Sequence, residues 1–212
     1  YQIPYVSTWN LSDWIETNHS LNLGRPGLSG QRGANLALQN SDLIIAIGSH
    51  LNSTIIGTRP EWFARDANIV MVDIDINELE SCPVFLEAAI NLDSSEFLIK
   101  LNKDLSLWEP DEYIQKEWQL LCDQYKSFNS IALDYSDNKD LVNTYFFKYL
   151  LSKYSKKGDI FVVDGGGTIV YSALQSIEIK EGQKIILSAG LCSMGSGIPE
   201  AIGAHFASPN SQ

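Results

Sequence analysis

Two glycine-rich stretches decide the fold of this chain: residues 158–173 read GDIFVVDGGGTIVYSA, and residues 188–204 read SAGLCSMGSGIPEAIGA. In the first stretch, a short β-branched apolar run at 160–163 lies between glycines, which predicts a buried strand. Three glycines follow the run, and a helical pattern begins at Thr168. Bare backbone before a helix N-terminus admits a phosphate, so the pattern predicts an anion site, with a tight turn that binds nothing as the alternative.

The second stretch follows another short apolar run, at residues 185–187. It carries Met194 and Pro199 among several glycines, and small residues at this density allow a helix to lie close to a neighbouring backbone. Pro199 suits the first turn of a helix. Met194 is therefore predicted on a loop at the end of a strand, where open α/β sheets bind ligands. A tightly packed helix start without a ligand is the alternative.

Taken together, the two motifs resemble the thiamine-diphosphate-binding domain of the acetolactate-synthase-like enzymes. That family has an Asp-x-Gly corner at the diphosphate of the cofactor, and later a Gly-x-Met-Gly-x-Gly-x-Pro-x-Ala-x-Gly-Ala segment under its pyrimidine. The resemblance implies that Met194 supports the bent cofactor and that the backbone carbonyl of Cys192 accepts the aminopyrimidine. The cofactor-binding residues that it implies are Gly166, Gly167, Thr168, Cys192, Ser193 and Met194.

The first half of the chain reads as strands that alternate with helices. Strands are predicted at residues 3–8, 42–47 and 69–74, and helices at residues 34–40, 60–67 and 92–103. Such alternation predicts a parallel sheet covered on both faces. Residues 1–103 also resemble the central domain of the same family, through a Leu-Gly-x-x-Gly loop at 23–27 and a Val-Asp-Ile-Asp strand at 72–75.

The expected fold class is α/β, with two parallel-sheet, helix-flanked, Rossmann-like units joined by a helical linker. The resemblance implies a central domain at residues 1–105, without its N-terminal part, and a linker at 106–140. Residues 141–212 are then the N-terminal half of a thiamine-diphosphate-binding domain. Within the linker, Pro110 suits the start of one amphipathic helix.

Charge and cysteine content limit the partners of the chain. Its 212 residues carry a formal net charge of −11, so we expect no nucleic acid and no anionic membrane partner, since either needs a basic face. Cys82, Cys122 and Cys192 form no Cys-x-x-Cys motif, which favours reduced thiols and a cytoplasmic location. No apolar run reaches the length of a membrane span.

The resemblance also implies an activity for the parent enzyme. With thiamine diphosphate and Mg²⁺, this family decarboxylates a 2-keto acid and joins the remaining unit to a second carbonyl compound, as a homo-oligomer, a dimer or a tetramer. The family's magnesium ligands and its activating glutamate lie in segments that this chain does not contain. We therefore expect no catalytic residue and no metal ligand within the chain, and no activity from the chain alone.

A second function class stays open at this point. The central domain would then be a module that binds a nucleotide such as FAD or ADP, or one that serves only structure and oligomerisation. The loop at 30–33 offers a helix N-terminus to a phosphate, and Asp73 and Asp75 suit either a ribose or helix capping. FAD is not expected, because residues 48–52 read GSHLN where flavin-binding relatives carry an Arg-Phe pair.

Overall fold

The computed structural model describes residues 1–129, 131–136, 140–188, 190–209 and 211. Within these residues the chain forms two parallel sheets flanked by helices, which confirms the α/β, Rossmann-like class. In chain order the elements are α1 (Arg32–Gln39), β1 (Leu43–Ile47), α2 (Ser53–Ile56), β2 (Asn68–Asp73), α3 (Ile76–Glu80), β3 (Ala88–Asn91), α4 (Ser94–Leu105), α5 (Glu112–Ser127), α6 (Thr144–Tyr154), β4 (Ile160–Val163), α7 (Gly167–Ser176), β5 (Lys184–Leu187) and α8 (Gly197–Ala207).

The first sheet has the order β1-β2-β3, with Ile45 opposite Val70 and Val72 opposite Ile90. In the central strand β2, the neighbouring residues Met71 and Val72 point to opposite faces and both are buried. The prediction of cover on both faces is therefore correct for β2. It is wrong for the edge strand β1, where Ile45 is 39% exposed, because the described helices cover only one face there.

Several helices begin directly after a residue whose side chain caps them. Asp93 precedes α4 and accepts hydrogen bonds from the amides of Ser95 and Glu96, so the helix predicted at 92–103 begins two residues later than expected. Asp111 caps α5 in the same way, one residue after Pro110. At residues 60–67 the predicted helix is only a 3-10 turn, Pro60–Trp62.

The predicted strand at residues 3–8 is wrong. Only one bridge forms in that segment, between Tyr5 and Asn22, and the chain then turns toward the second sheet. There the carboxylate of Asp13 accepts a hydrogen bond from the amide of Ile185 in β5. The backbone of Tyr5 and Ser7 therefore bonds to residues 21–24, and it is Asp13, further along the chain, that satisfies a backbone group of the second sheet.

The second sheet pairs β4 with β5 in parallel, with Phe161 opposite Ile185. Its core is formed by one face of the sheet, by α7 and by the segment after α7, and includes Val163, Val170 and Leu174. The predicted strands at 160–163 and 185–187 and the helix from Thr168 are confirmed, within one or two residues at their ends. The division into domains stays a prediction.

Side chains of the first 31 residues hold the end of α7. Thr17 and Ile179 exchange two hydrogen bonds, of 2.9 Å and 2.8 Å. The buried guanidinium of Arg25 donates to the carbonyl oxygen of Ile177, and Gln175 donates to that of Ser29.

None of the described helices is long and apolar enough to cross a membrane.

Candidate cofactor-binding site

The glycine corner lies between β4 and α7. Gly166 precedes the first residue of α7 and has φ 133° and ψ 102°, a conformation that L side chains rarely adopt. Gly167 begins the helix at φ 29°. As the first helical residue, Gly167 carries an N–H group that no carbonyl of the helix can accept. The corner therefore offers bare backbone and the positive end of a ten-residue helix.

The two glycine-rich stretches meet at this corner. A Cβ atom on Gly165 would lie 2.4 Å from the carbonyl carbon and oxygen of Cys192 and 2.5 Å from the carbonyl oxygen of Ser193. Only glycine fits at this distance, so the backbone after β4 touches the backbone after β5. The structure thus brings Gly165, the residue before the predicted Gly166, against the predicted residues Cys192 and Ser193.

Met194 lies at the mouth of the corner. A Cβ atom on Gly166 would lie 3.7 Å from Cγ of Met194, an ordinary van der Waals distance, and the Met194 side chain is 85% exposed. The backbone of Thr168 is in the first turn of α7, whereas its side chain lies outside the described residues. Gly166 from the first stretch and Met194 from the second therefore lie next to each other.

Asp164 links the two stretches. It is the aspartate of the Asp-x-Gly corner, but it was not among the predicted cofactor-binding residues. Its carboxylate oxygens accept hydrogen bonds from the amides of Gly195, at 2.8 Å, and Gly197, at 2.9 Å. Its position between a strand and a glycine corner was the signal that could have identified it. Nothing in the sequence indicated that Asp164 would bind Gly195, 31 residues later.

The first turn of α7 is also held from the side. The ammonium group of Lys148, in α6, donates to the carbonyl oxygen of Ile169 and to the hydroxyl of Ser172. Burial lowers the pKa of Lys148 to about 8, because the charged form loses solvation. Lys148 thus fixes the helix turn directly behind the corner.

An apolar groove of about 690 Å³ runs from the corner along β4 and α8. Its lining includes Asp164 and Gly197 and the exposed side chains of Ile198, Ile202 and Phe206. Among the described residues, no three histidine, cysteine, aspartate or glutamate side chains converge on a candidate metal position. Cys82, Cys122 and Cys192 are thiols rather than disulfide partners.

The chain is similar in sequence to known proteins. Residues 1–101 match the family described as thiamine pyrophosphate enzyme, central domain. Over 99% of its length, the chain is 29% identical to the acetolactate synthase large subunit of Lactococcus lactis subsp. lactis (strain IL1403) and 30% identical to the acetolactate synthase isozyme 2 large subunit of Escherichia coli (strain K12). The chain is similar to the acetolactate-synthase-like family of thiamine-diphosphate enzymes. It spans 35% and 36% of the length of these two relatives.

In this chain, the region that matches the central-domain family holds the whole of the first sheet. The first turn of α1 packs against α5: a Cβ atom on Gly33 would lie 2.1 Å from the carbonyl oxygen of Tyr125, and the amide of Gly33 donates to Oδ1 of Asn129 at 2.8 Å. This amide at the N-terminus of α1 is therefore engaged within the protein and is not open to a phosphate.

The carboxyl ends of β1 and β2 carry polar groups that also bind one another. Asp75 caps α3 through the amide of Asn77, and its own amide donates to Asp73. Glu78 pairs with His50. The cavity beside this pair measures about 210 Å³, and pockets for drug-sized ligands begin near about 300 Å³. Helix capping is thus the observed role of Asp75.

Proposed function

We propose that this chain is part of a thiamine-diphosphate- and magnesium-dependent carboligase or decarboxylase that acts on 2-keto acids. One observation carries the proposal: the corner after β4 and the Met194 loop after β5 touch through the backbones of Gly165 and Cys192. The parallel strands β4 and β5 end side by side there. Open α/β sheets bind ligands in the crevice outside the carboxyl ends of their strands.

The corner fits the diphosphate of such a cofactor. Gly166 and Gly167 present no side chain, so a phosphate oxygen can approach the backbone amides at the positive end of α7. The N-terminus of α8 already receives the carboxylate of Asp164. We therefore assign the diphosphate of the cofactor to the N-terminus of α7, where Gly166, Gly167 and Thr168 would bind it.

Cys192, Ser193 and Met194 would hold the aminopyrimidine end. The exposed side chain of Met194 borders the corner and offers an apolar support for a bent cofactor. When bound, thiamine diphosphate supplies the carbanion chemistry that decarboxylation and carbon–carbon bond formation need. The residues of this chain bind and orient it.

The parent of this chain is proposed to be a longer polypeptide that works as a homo-oligomer, a dimer or a tetramer. The chain spans about a third of the two relatives, and the groove along β4 and α8 is an apolar surface that we expect further protein to cover. Mg²⁺ ligands and catalytic residues are expected in those further segments.

The first experiment tests the parent. The full-length protein that contains this chain is titrated with thiamine diphosphate and Mg²⁺, and carbon dioxide release and acetolactate formation are measured with pyruvate. Cofactor-dependent turnover that is lost when a chelator removes the magnesium would support the proposal. A well-folded parent that binds no thiamine diphosphate would refute it.

The second experiment uses the chain alone. We expect no turnover above background, because positioning effects of about 7–11 kcal/mol depend on a complete cleft. Measurable acetolactate formation by the purified chain with thiamine diphosphate and Mg²⁺ would show that the catalytic groups lie within these residues, contrary to the proposal.

For the central domain we propose a structural role without FAD. The engaged amide of Gly33 and the capping role of Asp75 support this, since both groups are used inside the protein. The purified parent should be colourless. A flavin absorbance spectrum released on denaturation would overturn this part of the proposal and favour the nucleotide-binding alternative.

A further inference from the structure

Asp164 caps a helix to which it does not belong. The residue follows the last residue of β4, and its two carboxylate oxygens accept from the amides of Gly195, at 2.8 Å, and Gly197, at 2.9 Å. Gly197 is the first residue of α8, and the residue at the usual capping position, Ser196, makes no side-chain capping bond. A carboxylate is favourable at the positive end of a helix, so Asp164 takes over the capping role.

The contact is close enough to tie two segments of backbone together. A Cβ atom on Gly197 would lie 2.9 Å from Oδ2 of Asp164, so a larger residue would displace the carboxylate. On the other side of Asp164, Gly165 has the short approach to Cys192 and Ser193. The corner and the loop are thus joined at two adjacent residues, by hydrogen bonds at one and by backbone packing at the other.

The position of Met194 depends on these contacts between the corner and the loop. Its side chain is 85% exposed, so packing within the chain does little to hold it, whereas the next residue, Gly195, donates its amide to Asp164. Gly195 has φ 89°, and apart from its chain neighbours no atom lies within 4 Å of a Cβ built on it. The loop is therefore held on both sides of Met194: Gly165 packs against Cys192 and Ser193 before it, and the carboxylate of Asp164 binds Gly195 after it.

We propose that Asp164 is a positioning residue of the cofactor site, whose carboxylate fixes the Met194 loop against the diphosphate corner. This inference rests on the proposed function. It goes beyond it by assigning the part of the coupling that follows Met194 to one side chain, through its hydrogen bonds to Gly195 and Gly197. Loss of the carboxylate leaves the packing of Gly165 in place but removes the acceptor that holds the loop after Met194.

Asp159 provides a matched control at the other end of the same strand. It directly precedes β4, and its Oδ2 accepts from the amide of Lys156 at 2.6 Å. Asp159 and Asp164 are therefore both aspartates that flank β4 and bind backbone amides. Only Asp164 contacts the Met194 loop.

The first measurement is amide hydrogen exchange in the cofactor-free full-length protein, for Asp164→Ala, Asp164→Asn and Asp159→Asn. In Asp164→Ala we expect the amides of Gly195 and Gly197 to exchange about tenfold faster, because about a factor of ten in the equilibrium constant corresponds to one charge-assisted hydrogen bond. In Asp164→Asn we expect an intermediate rate, because the side chain keeps one acceptor oxygen. Asp159→Asn should leave both rates unchanged. Unchanged rates in Asp164→Ala, or equal acceleration in Asp159→Asn, would overturn the inference.

The second measurement separates positioning from structural support. In the same variants, kcat should fall by a larger factor than the affinity for thiamine diphosphate when Asp164 is changed, and Asp159→Asn should alter neither. Faster exchange with unchanged kcat and cofactor affinity would also overturn the inference. If the wild-type protein binds no thiamine diphosphate, the proposed function fails by itself, and the exchange rates still decide whether Asp164 holds the loop.

Discussion

The guanidinium of Arg25 donates a hydrogen bond of 2.7 Å from Nη2 to the carbonyl oxygen of Ile177, the residue that directly follows α7. Arg25 is 2% exposed, and burial lowers its pKa to about 10 while the charge of Glu178 acts in the opposite direction. A cation at a helix C-terminus is favourable. The helix whose first residues form the candidate diphosphate corner is thus anchored at its far end by the glycine-rich loop of the central domain.

Arg25→Ala should destabilise the chain. The carbonyl of Ile177 would lose its donor inside the protein, which costs about 1–3 kcal/mol, and the cavity adds to this. Chemical denaturation measures the free energy of unfolding. Arg32→Ala is the control, because Arg32 is exposed at the start of α1 and its loss should change stability little. Equal effects of the two substitutions would contradict the anchoring role.

Gly166→Val should weaken thiamine diphosphate binding in the full-length parent. At φ 133° a β-branched residue costs about 1–3 kcal/mol, which corresponds to roughly 5- to 150-fold in affinity if the corner shifts to relieve it. Gly158→Val is the matched control, because Gly158 has φ 82° at the other end of β4, with nothing within 4 Å of a built Cβ. Cofactor titration that shows no loss for Gly166→Val would refute the diphosphate assignment.

Met194→Ala should lower turnover more than cofactor affinity, because it removes the apolar support of the bent cofactor but leaves the diphosphate corner intact. Misplacement of reacting groups by about 1 Å costs on the order of 100-fold in rate. Leu191, on the same loop and 88% exposed, gives the control Leu191→Ala, which should keep both values. Parallel losses of turnover in both variants would argue against a specific role of Met194.

The pH dependence of stability should contain a contribution from Lys148. Its pKa is lowered by burial from the usual 10.5 to about 8, so above about pH 8 the unfolded chain binds more protons than the folded chain. Stability from this group therefore rises with pH between about 8 and 10.5. The free energy of unfolding of the wild type, minus that of Lys148→Met, should increase over this window. A flat difference would show that Lys148 is not desolvated.

Local sequence signals predicted the elements whose causes are local. The strand at 160–163, the helix predicted at 92–103 and the helix that contains Pro199 all appear in the structure, because apolar periodicity and capping act within a few residues. The short strand β3 and the five-residue helix α3 were missed, because four or five residues carry too little periodicity. The segment at 3–8 looked like a strand, yet its backbone found a single bridge.

By itself, the sequence determined the class of fold and the two glycine-rich stretches of the candidate site, because glycine placement and strand–helix alternation can be read directly from the order of residues. Only the tertiary structure decided that Asp164 closes onto Gly197 and that Arg25 is buried against Ile177. These pairs are 33 and 152 residues apart. Both Asp164 and Arg25 are charged residues, and charged residues usually lie at the surface. Folding places each of them against a backbone group from a distant part of the chain, the amide of Gly197 for Asp164 and the carbonyl of Ile177 for Arg25.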